Sequence, residues 1–105
     1  MLLNIPLKPS INQRITTNVN NQTITLDIYA RSTYLFVDFY LEDTLLVAGA
    51  HAVNASYIDD YTTNFVGYLF FLDSTQNDPT LNSLGVTTQL FYSDYDALAT
   101  YYKNL

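Results

Sequence analysis

Nucleophilic catalysis by a Ser-His-Asp arrangement needs an imidazole beside a hydroxyl, and this chain has a single histidine, His51, set among alanines. Ser56 or Ser93 with an aspartate would complete such a triad, but no G-x-S-x-G turn or comparable positioning motif accompanies them. One imidazole is too few for a multi-histidine metal site, and without cysteine there is no thiolate nucleophile, disulfide or Cys-based zinc or iron centre. Carboxylate pairs occur at Asp59-Asp60 and at Asp94 with Asp96. Glycoside hydrolysis needs one proton-donating and one ionised carboxylate across a cleft, whereas Glu42, the only glutamate, falls in a two-residue turn between strands. Turn chemistry and helix capping account for these acids. The oxygen-rich stretch Asp73 to Thr80 lacks the D-x-D-x-D-G spacing and bidentate Glu of a calcium loop. The residues therefore read as those of a non-enzyme with no cofactor or metal.

Aromatic side chains offer a different chemistry. Ten Tyr and six Phe, with no Trp, supply 15% of the chain. Tyrosine faces can stack on sugar rings, which makes a carbohydrate-binding β module the alternative. Tyrosine is also enriched at protein interfaces, and Tyr29, Tyr34, Phe36 and Tyr40 are read as interface anchors or cross-strand pairs ahead of a sugar platform that would usually display Trp.

The elements that must position these groups fit a single domain. A chain of 105 residues is well below the roughly 200 at which separate cores form. It is 49% hydrophobic but only 13% charged, against roughly 25% charged in ordinary soluble chains. A surface of Tyr, Thr and Asn loses less on desolvation than one of Lys and Glu, so low charge points to packed neighbours. Four basic against ten acidic side chains give a net charge of -6, which opposes binding through phosphate neutralisation and argues against nucleic acid. No apolar run approaches the roughly 18 residues of a membrane-spanning helix, and Met1-Leu2-Leu3 lacks the basic start of a signal peptide. Cytoplasmic synthesis without export is the expectation.

Ile24 to Ala30 alternates apolar and polar, and Gln13 to Val19 before it is rich in β-branched residues; Asn20-Asn21 between them predicts a hairpin. Leu2 to Leu7, interrupted by Pro6, suits an edge strand. Tyr34 to Leu41 and Thr44 to Ala48 predict a second hairpin through Glu42-Asp43. Leu35, Val37, Phe39 and Leu41 face the core, leaving Tyr34, Phe36 and Tyr40 on a second apolar face that needs another cover. That cover is the C-terminal segment or another subunit. Ala48 to Ala55 is read as strand continuing to Ile58, Asp59 to Asn64 as a polar loop, Val66 to Leu72 as strand and Ser74 to Gly85 as a long loop. Val86 to Tyr92 is a last alternating strand with Val86, Thr88, Leu90 and Tyr92 on one side. From Ser93 the period becomes helical, with Ser93 three residues before Asp96 at the start and Tyr95, Leu98, Tyr101 or Tyr102, and Leu105 along one stripe. The fold class is all-β: a small antiparallel β-sandwich or partly open β-barrel with a short C-terminal helix, divided into a β domain over 1–92 and a helical tail over 93–105. Tyr101 and Tyr102 on that tail join the candidate interface residues.

A strand ending in Asp73, then Asp78-Pro79-Thr80, Leu84-Gly85 and a strand with Leu90 and Tyr92 resembles the small baseplate plug proteins of contractile-tailed phages, the cyanophage-type plug family. The order of elements before it, from Ile5-Pro6-Leu7 to the Leu-Val-Ala-Gly segment, is similar too, so the resemblance covers most of the chain up to Tyr92. Tyr34 and Phe36 stand where the family pattern has a Trp, and Glu42-Asp43 where an Asp-Gly turn is usual. The matched residues shape a loop: Pro79 fixes φ, Thr80 or Asp78 ties back to loop amides, and Gly85 permits a tight entry to the last strand. The resemblance implies a structural component of the virion's tail baseplate that plugs or braces the central hub. Its partners would be the hub and other tail proteins, in a homo-oligomer within a symmetric assembly, three-fold first.

Overall fold

Two hairpins in succession build the larger of two sheets. Asn20 and Asn21 both adopt positive φ, 51° and 62°, the type I′ geometry whose twist matches the flanking strands. They join β2 (Gln13–Val19) to β3 (Gln22–Arg31). Glu42 and Asp43 repeat that geometry at 48° and 69° between β4 (Tyr34–Leu41) and β5 (Thr44–His51). Glu42 is not a usual choice there, but its carboxylate accepts the Thr23 N–H at 2.8 Å, while its own N–H donates to the Thr23 carbonyl at 2.9 Å. The sheet order is β2-β3-β4-β5, all antiparallel.

The computed structural model describes residues 1–10, 12–58 and 64–104. The Asp59-Asp60 pair, most of the polar loop expected over 59–64, and Leu105 of the helical stripe lie outside them. A second, antiparallel sheet has the order β1-β7-β6, from β1 (Leu2–Ile5), β7 (Thr88–Ser93) and β6 (Tyr68–Asp73). Pro6 ends β1, which takes the edge position expected of it. Ile24, Leu26, Ile28, Leu35, Val37 and Phe39 from the larger sheet share one buried cluster with Ile5, Leu69, Phe71, Leu90 and Tyr92 from the smaller. The two inner faces thus enclose one core, each large apolar side chain contributing about 1.5–3 kcal/mol. Neither sheet closes on itself, so of the two architectures foreseen the sandwich is the one formed.

Besides β1, which stops at Ile5 before Pro6 and does not reach Leu7, three strand ends differ from the sequence expectation, each for a tertiary reason. The strand expected from Ala48 to Ile58 stops at His51. Ala52 donates to the Leu35 carbonyl at 2.9 Å, and the chain then crosses to the other sheet, where Ala55 and Ile58 donate to the Phe71 and Leu69 carbonyls at 2.8 Å each. Residues 54–58 thereby line the β6 edge. Val66 precedes its strand and is 57% exposed. The Gln22 side-chain amide brackets its backbone, donating to Val66 O and accepting from Val66 N at 2.8 Å each. Val86 is 64% exposed and lies outside β7, because the Ser83 carbonyl gathers the amides of Val86, Thr87 and Thr88 into a turn. Thr88, Leu90 and Tyr92 do share the buried face.

The helix α1 (Ala97–Lys103) begins later than Ser93. Asp96 is its N-cap, accepting from Ala99 N at 3.3 Å, while Ser93 ends β7 and donates its hydroxyl to the Tyr95 carbonyl at 2.6 Å. A helix of seven residues does not persist alone. This one buries Leu98 against Ala55 and Phe70, with Tyr68, Leu72, Phe91 and Tyr101 around them. The helix covers the outer face of the small sheet.

Candidate interaction surface

The loop after β6 is organised by one carboxylate. Asp73 is buried, and its Oδ1 accepts the Thr87 and Thr88 hydroxyls at 2.6 and 2.7 Å. Its Oδ2 accepts the Thr75 hydroxyl and the Thr75 and Asn77 backbone amides, the latter two at 2.9 and 3.2 Å. Burial alone would raise its pKa, but these donors outweigh it and hold the carboxyl well below the usual aspartate range. Asp78 reaches outside the loop, accepting Asn54 N at 2.9 Å, and Asn54 in turn accepts Asp73 N at 2.8 Å. Thr80 Oγ1 accepts Asn82 N within the loop at 3.3 Å. Pro79 is buried and Leu84 belongs to the core. Gly85, at φ 71°, passes so close to Leu7 that a Cβ would lie 2.8 Å from its carbonyl oxygen. Asp73, Asp78, Pro79, Thr80, Leu84 and Gly85 thus lie together at the corner between β6 and β7, whereas Leu90 and Tyr92 stand further along β7 in the core, Tyr92 near its far end.

Tyr29, Tyr34, Phe36 and Tyr40 fall elsewhere, together on the outer face of the larger sheet. In register, Tyr29 opposes Phe36, Arg31 opposes Tyr34 and Phe36 opposes His51. Tyr29 and Phe36 stack with centroids 6.2 Å apart, and His51 packs edge-on to Tyr34 at 5.3 Å and against Phe36 at 5.5 Å. Arg31 lies over the Tyr29 ring and Arg14 over the Tyr40 ring, each 5.7 Å from the centroid. Arg14 also forms a two-pronged ion pair with Asp27 at 2.7 and 2.8 Å. Asp38 accepts the Tyr29 hydroxyl at 3.0 Å and Gly49 N at 2.7 Å. Tyr34 is 57% exposed. Arg14, Arg31 and Asp38 on this face were not singled out from sequence, and His51 was weighed there only for catalysis, although the alternation that places Tyr29 outward places Arg31 beside it.

Tyr101 and Tyr102 lie on α1 and meet the chain's own small sheet. Tyr101 packs on the cluster of Phe70 and Leu98, and the Tyr102 hydroxyl donates to the Ala55 carbonyl. The C-terminal segment therefore does not cover Tyr34, Phe36 and Tyr40.

Among the described residues, those weighed for catalysis are not brought together. His51 sits in the aromatic group on the larger sheet, whereas Ser93 is buried at the end of β7 with its hydroxyl engaged. Asp94 pairs with the Met1 ammonium, and Asp96 receives the Tyr57 hydroxyl besides capping the helix. Among the described residues no three His, Cys, Asp or Glu side chains form a group that could hold a metal, and no helix is long and apolar enough to cross a membrane. The arginines over Tyr29 and Tyr40 occupy ring faces that a stacked sugar would need, which leaves the carbohydrate alternative without support.

Comparison with known families matches residues 2–96 to the model described as cyanophage baseplate Pam3 plug gp18. The match spans both sheets and the Asp73 corner and ends at the N-cap of α1. No curated protein matches the chain.

Proposed function

The chain belongs to the cyanophage baseplate plug family, whose role is structural, and from that membership we propose that it plugs or braces the central hub of a contractile-tail baseplate through protein-protein interfaces. Its partners are then the hub and neighbouring tail proteins, and it is made in the host cytoplasm and incorporated into the virion tail. Several copies take part in a symmetric assembly, without nucleic acid, membrane or cofactor. The 1–92 body carries the contacts, and the 93–105 tail reinforces the small sheet. The observation that carries this reading is the outer face of the larger sheet, where Tyr29, Tyr34, Phe36 and Tyr40 stand without a cover among the described residues. Rigid aromatic anchors beside arginine are the side chains that dominate binding energy at interfaces.

Co-expression with the hub and adjacent tail proteins, followed by affinity purification, tests the reading. The wild-type chain is expected to co-purify with the hub, and Tyr34→Glu, at an exposed position, to weaken that association about tenfold or more while leaving the fold intact. A chain that co-purifies with none of these proteins would overturn the proposal.

A further inference from the structure

A strand at the edge of a sheet exposes unpaired N–H and C=O groups, and natural proteins guard such edges with charge, proline, short length or a covering segment. Three of the four edges here are guarded. β1 has four residues and runs into Pro6. β6 is lined by residues 54–58. β2 carries Arg14, and the Gln13 side chain straps the preceding loop to it through bonds with Lys8 and Ser10. The fourth edge, β5, is Thr44-Leu45-Leu46-Val47-Ala48-Gly49-Ala50-His51: eight residues without Pro, Lys, Arg, Asp or Glu. Its one guard is the bulge beside β4. Leu45 is 48% exposed, and among the described residues no segment pairs with this edge.

Charge selects the occupant. The larger sheet is bipolar: Arg31 stands beside His51 at one end, with the Lys8 loop near it, and Glu42 and Asp43 form the turn at the other, while Arg14, paired with Asp27, lies mid-sheet. Head-to-tail pairing of β5 with β2 of another copy, continuing the antiparallel order, would place like ends side by side. Antiparallel pairing of β5 with a second β5 inverts one copy and sets the acidic turn of each against the Arg31–His51 end of the other. It also joins the two aromatic outer faces, since Phe36 and His51 are adjacent in register. We propose that β5 pairs antiparallel with β5 of a second copy of this chain, making one continuous eight-stranded sheet across a two-fold axis. This deepens the self-association part of the functional reading and rests on it only for the setting of the dimer in a baseplate.

The purified 105-residue chain, alone, is examined by sedimentation equilibrium over a range of concentrations and salt. A mass rising to twice the 12.0 kDa of the chain is expected, with association weakening as salt increases. Ala48→Lys, exposed near the strand centre, brings two like charges together across the two-fold and is expected to weaken the dimer by about tenfold or more. Its circular dichroism should match that of the parent. A chain that stays monomeric at every concentration, or an Ala48→Lys variant that dimerises as before, overturns the inference. Co-purification with hub protein is scored separately: a persistent monomer that still binds the hub sinks only the β5 pairing, and a β5 dimer that binds no tail protein sinks only the baseplate role.

Discussion

The ring of Tyr92 fills the space that a Cβ on Gly67 would need: a carbon placed there would lie 2.4 Å from the ring edge. Gly67 also has φ of 116°, a conformation that L side chains rarely adopt. Either constraint alone disfavours a side chain, and together they tie the start of β6 to the centre of the core. Gly67→Ala is expected to lower stability by about 3 kcal/mol or more, read as a lower urea midpoint. Tyr92→Phe keeps the ring and removes only the 2.7 Å bond from its hydroxyl to the Val66 carbonyl. Because that carbonyl also accepts from Gln22, the loss should be about 1 kcal/mol. Equal midpoints for Gly67→Ala and wild type would mean that the ring moves aside without cost.

Asp73 holds the β6–β7 corner by accepting from Thr75, Asn77, Thr87 and Thr88. Its folded pKa lies below the unfolded value, so the stabilisation is present above about pH 4, the unfolded aspartate range, and is lost as pH falls toward the folded pKa. Asp73→Asn replaces an acceptor oxygen with a donor facing hydroxyls and amides, and should cost about 2–3 kcal/mol at neutral pH. Urea midpoints measured at pH 7 and below pH 4 should show the gap between wild type and variant narrowing in acid. A constant gap would show that the carboxylate charge contributes nothing.

The readable parts of the fold were those decided locally. Alternation placed β3 and β4, and Asn20-Asn21 announced its hairpin, because both signals act over two to ten neighbouring residues. The misplaced ends were set by distant groups. The clamp that keeps Val66 out of β6 comes from Gln22, 44 residues away, and β5 is left by a chain that turns to bond Phe71 and Leu69. Ser93 and Asp96 both suit a helix start; Ser93 is drawn into β7 by pairing with Leu2 and Tyr68, which leaves Asp96 to cap. At the candidate surface, outward placement of Tyr29, Tyr34, Phe36 and Tyr40 followed from strand period. Arg31 follows from the same alternation, whereas Arg14 and His51 among them needed the register of four strands.

The β4–β5 turn holds two non-glycine residues at positive φ, where a Cβ costs about 1 kcal/mol per residue. Glu42 is compensated by its bond to Thr23. Asp43 is exposed and caps nothing among the described residues. Asp43→Gly is therefore expected to stabilise the chain by about 0.5–1 kcal/mol, a few degrees in thermal midpoint. Glu42→Gly removes the Thr23 bond as it relieves the turn, so it should be close to neutral. A fall in midpoint for Asp43→Gly would indicate that flexibility gained by the unfolded chain outweighs relief of the turn.

Tyr57 links the crossing segment to the helix, since its hydroxyl donates to Asp96 and accepts the Leu98 amide at 3.0 Å. Burial, reinforced by the bond to Asp96, pushes its pKa up to about 12 from the ordinary tyrosine value of 10. A raised acid constant in the folded state means that the neutral phenol is favoured there. The stabilisation is thus complete below the unfolded value and disappears as pH rises toward the folded one. The helix is expected to loosen between about pH 10 and 12, seen as loss of the 222 nm circular dichroism signal. Tyr57→Phe cannot ionise and has already lost both bonds, so its helix should be weaker at pH 7 yet show less change across that window. The difference between the two curves isolates Tyr57. Coincident curves would show that the helix is held by Leu98 packing alone, with no contribution from the Tyr57 hydroxyl.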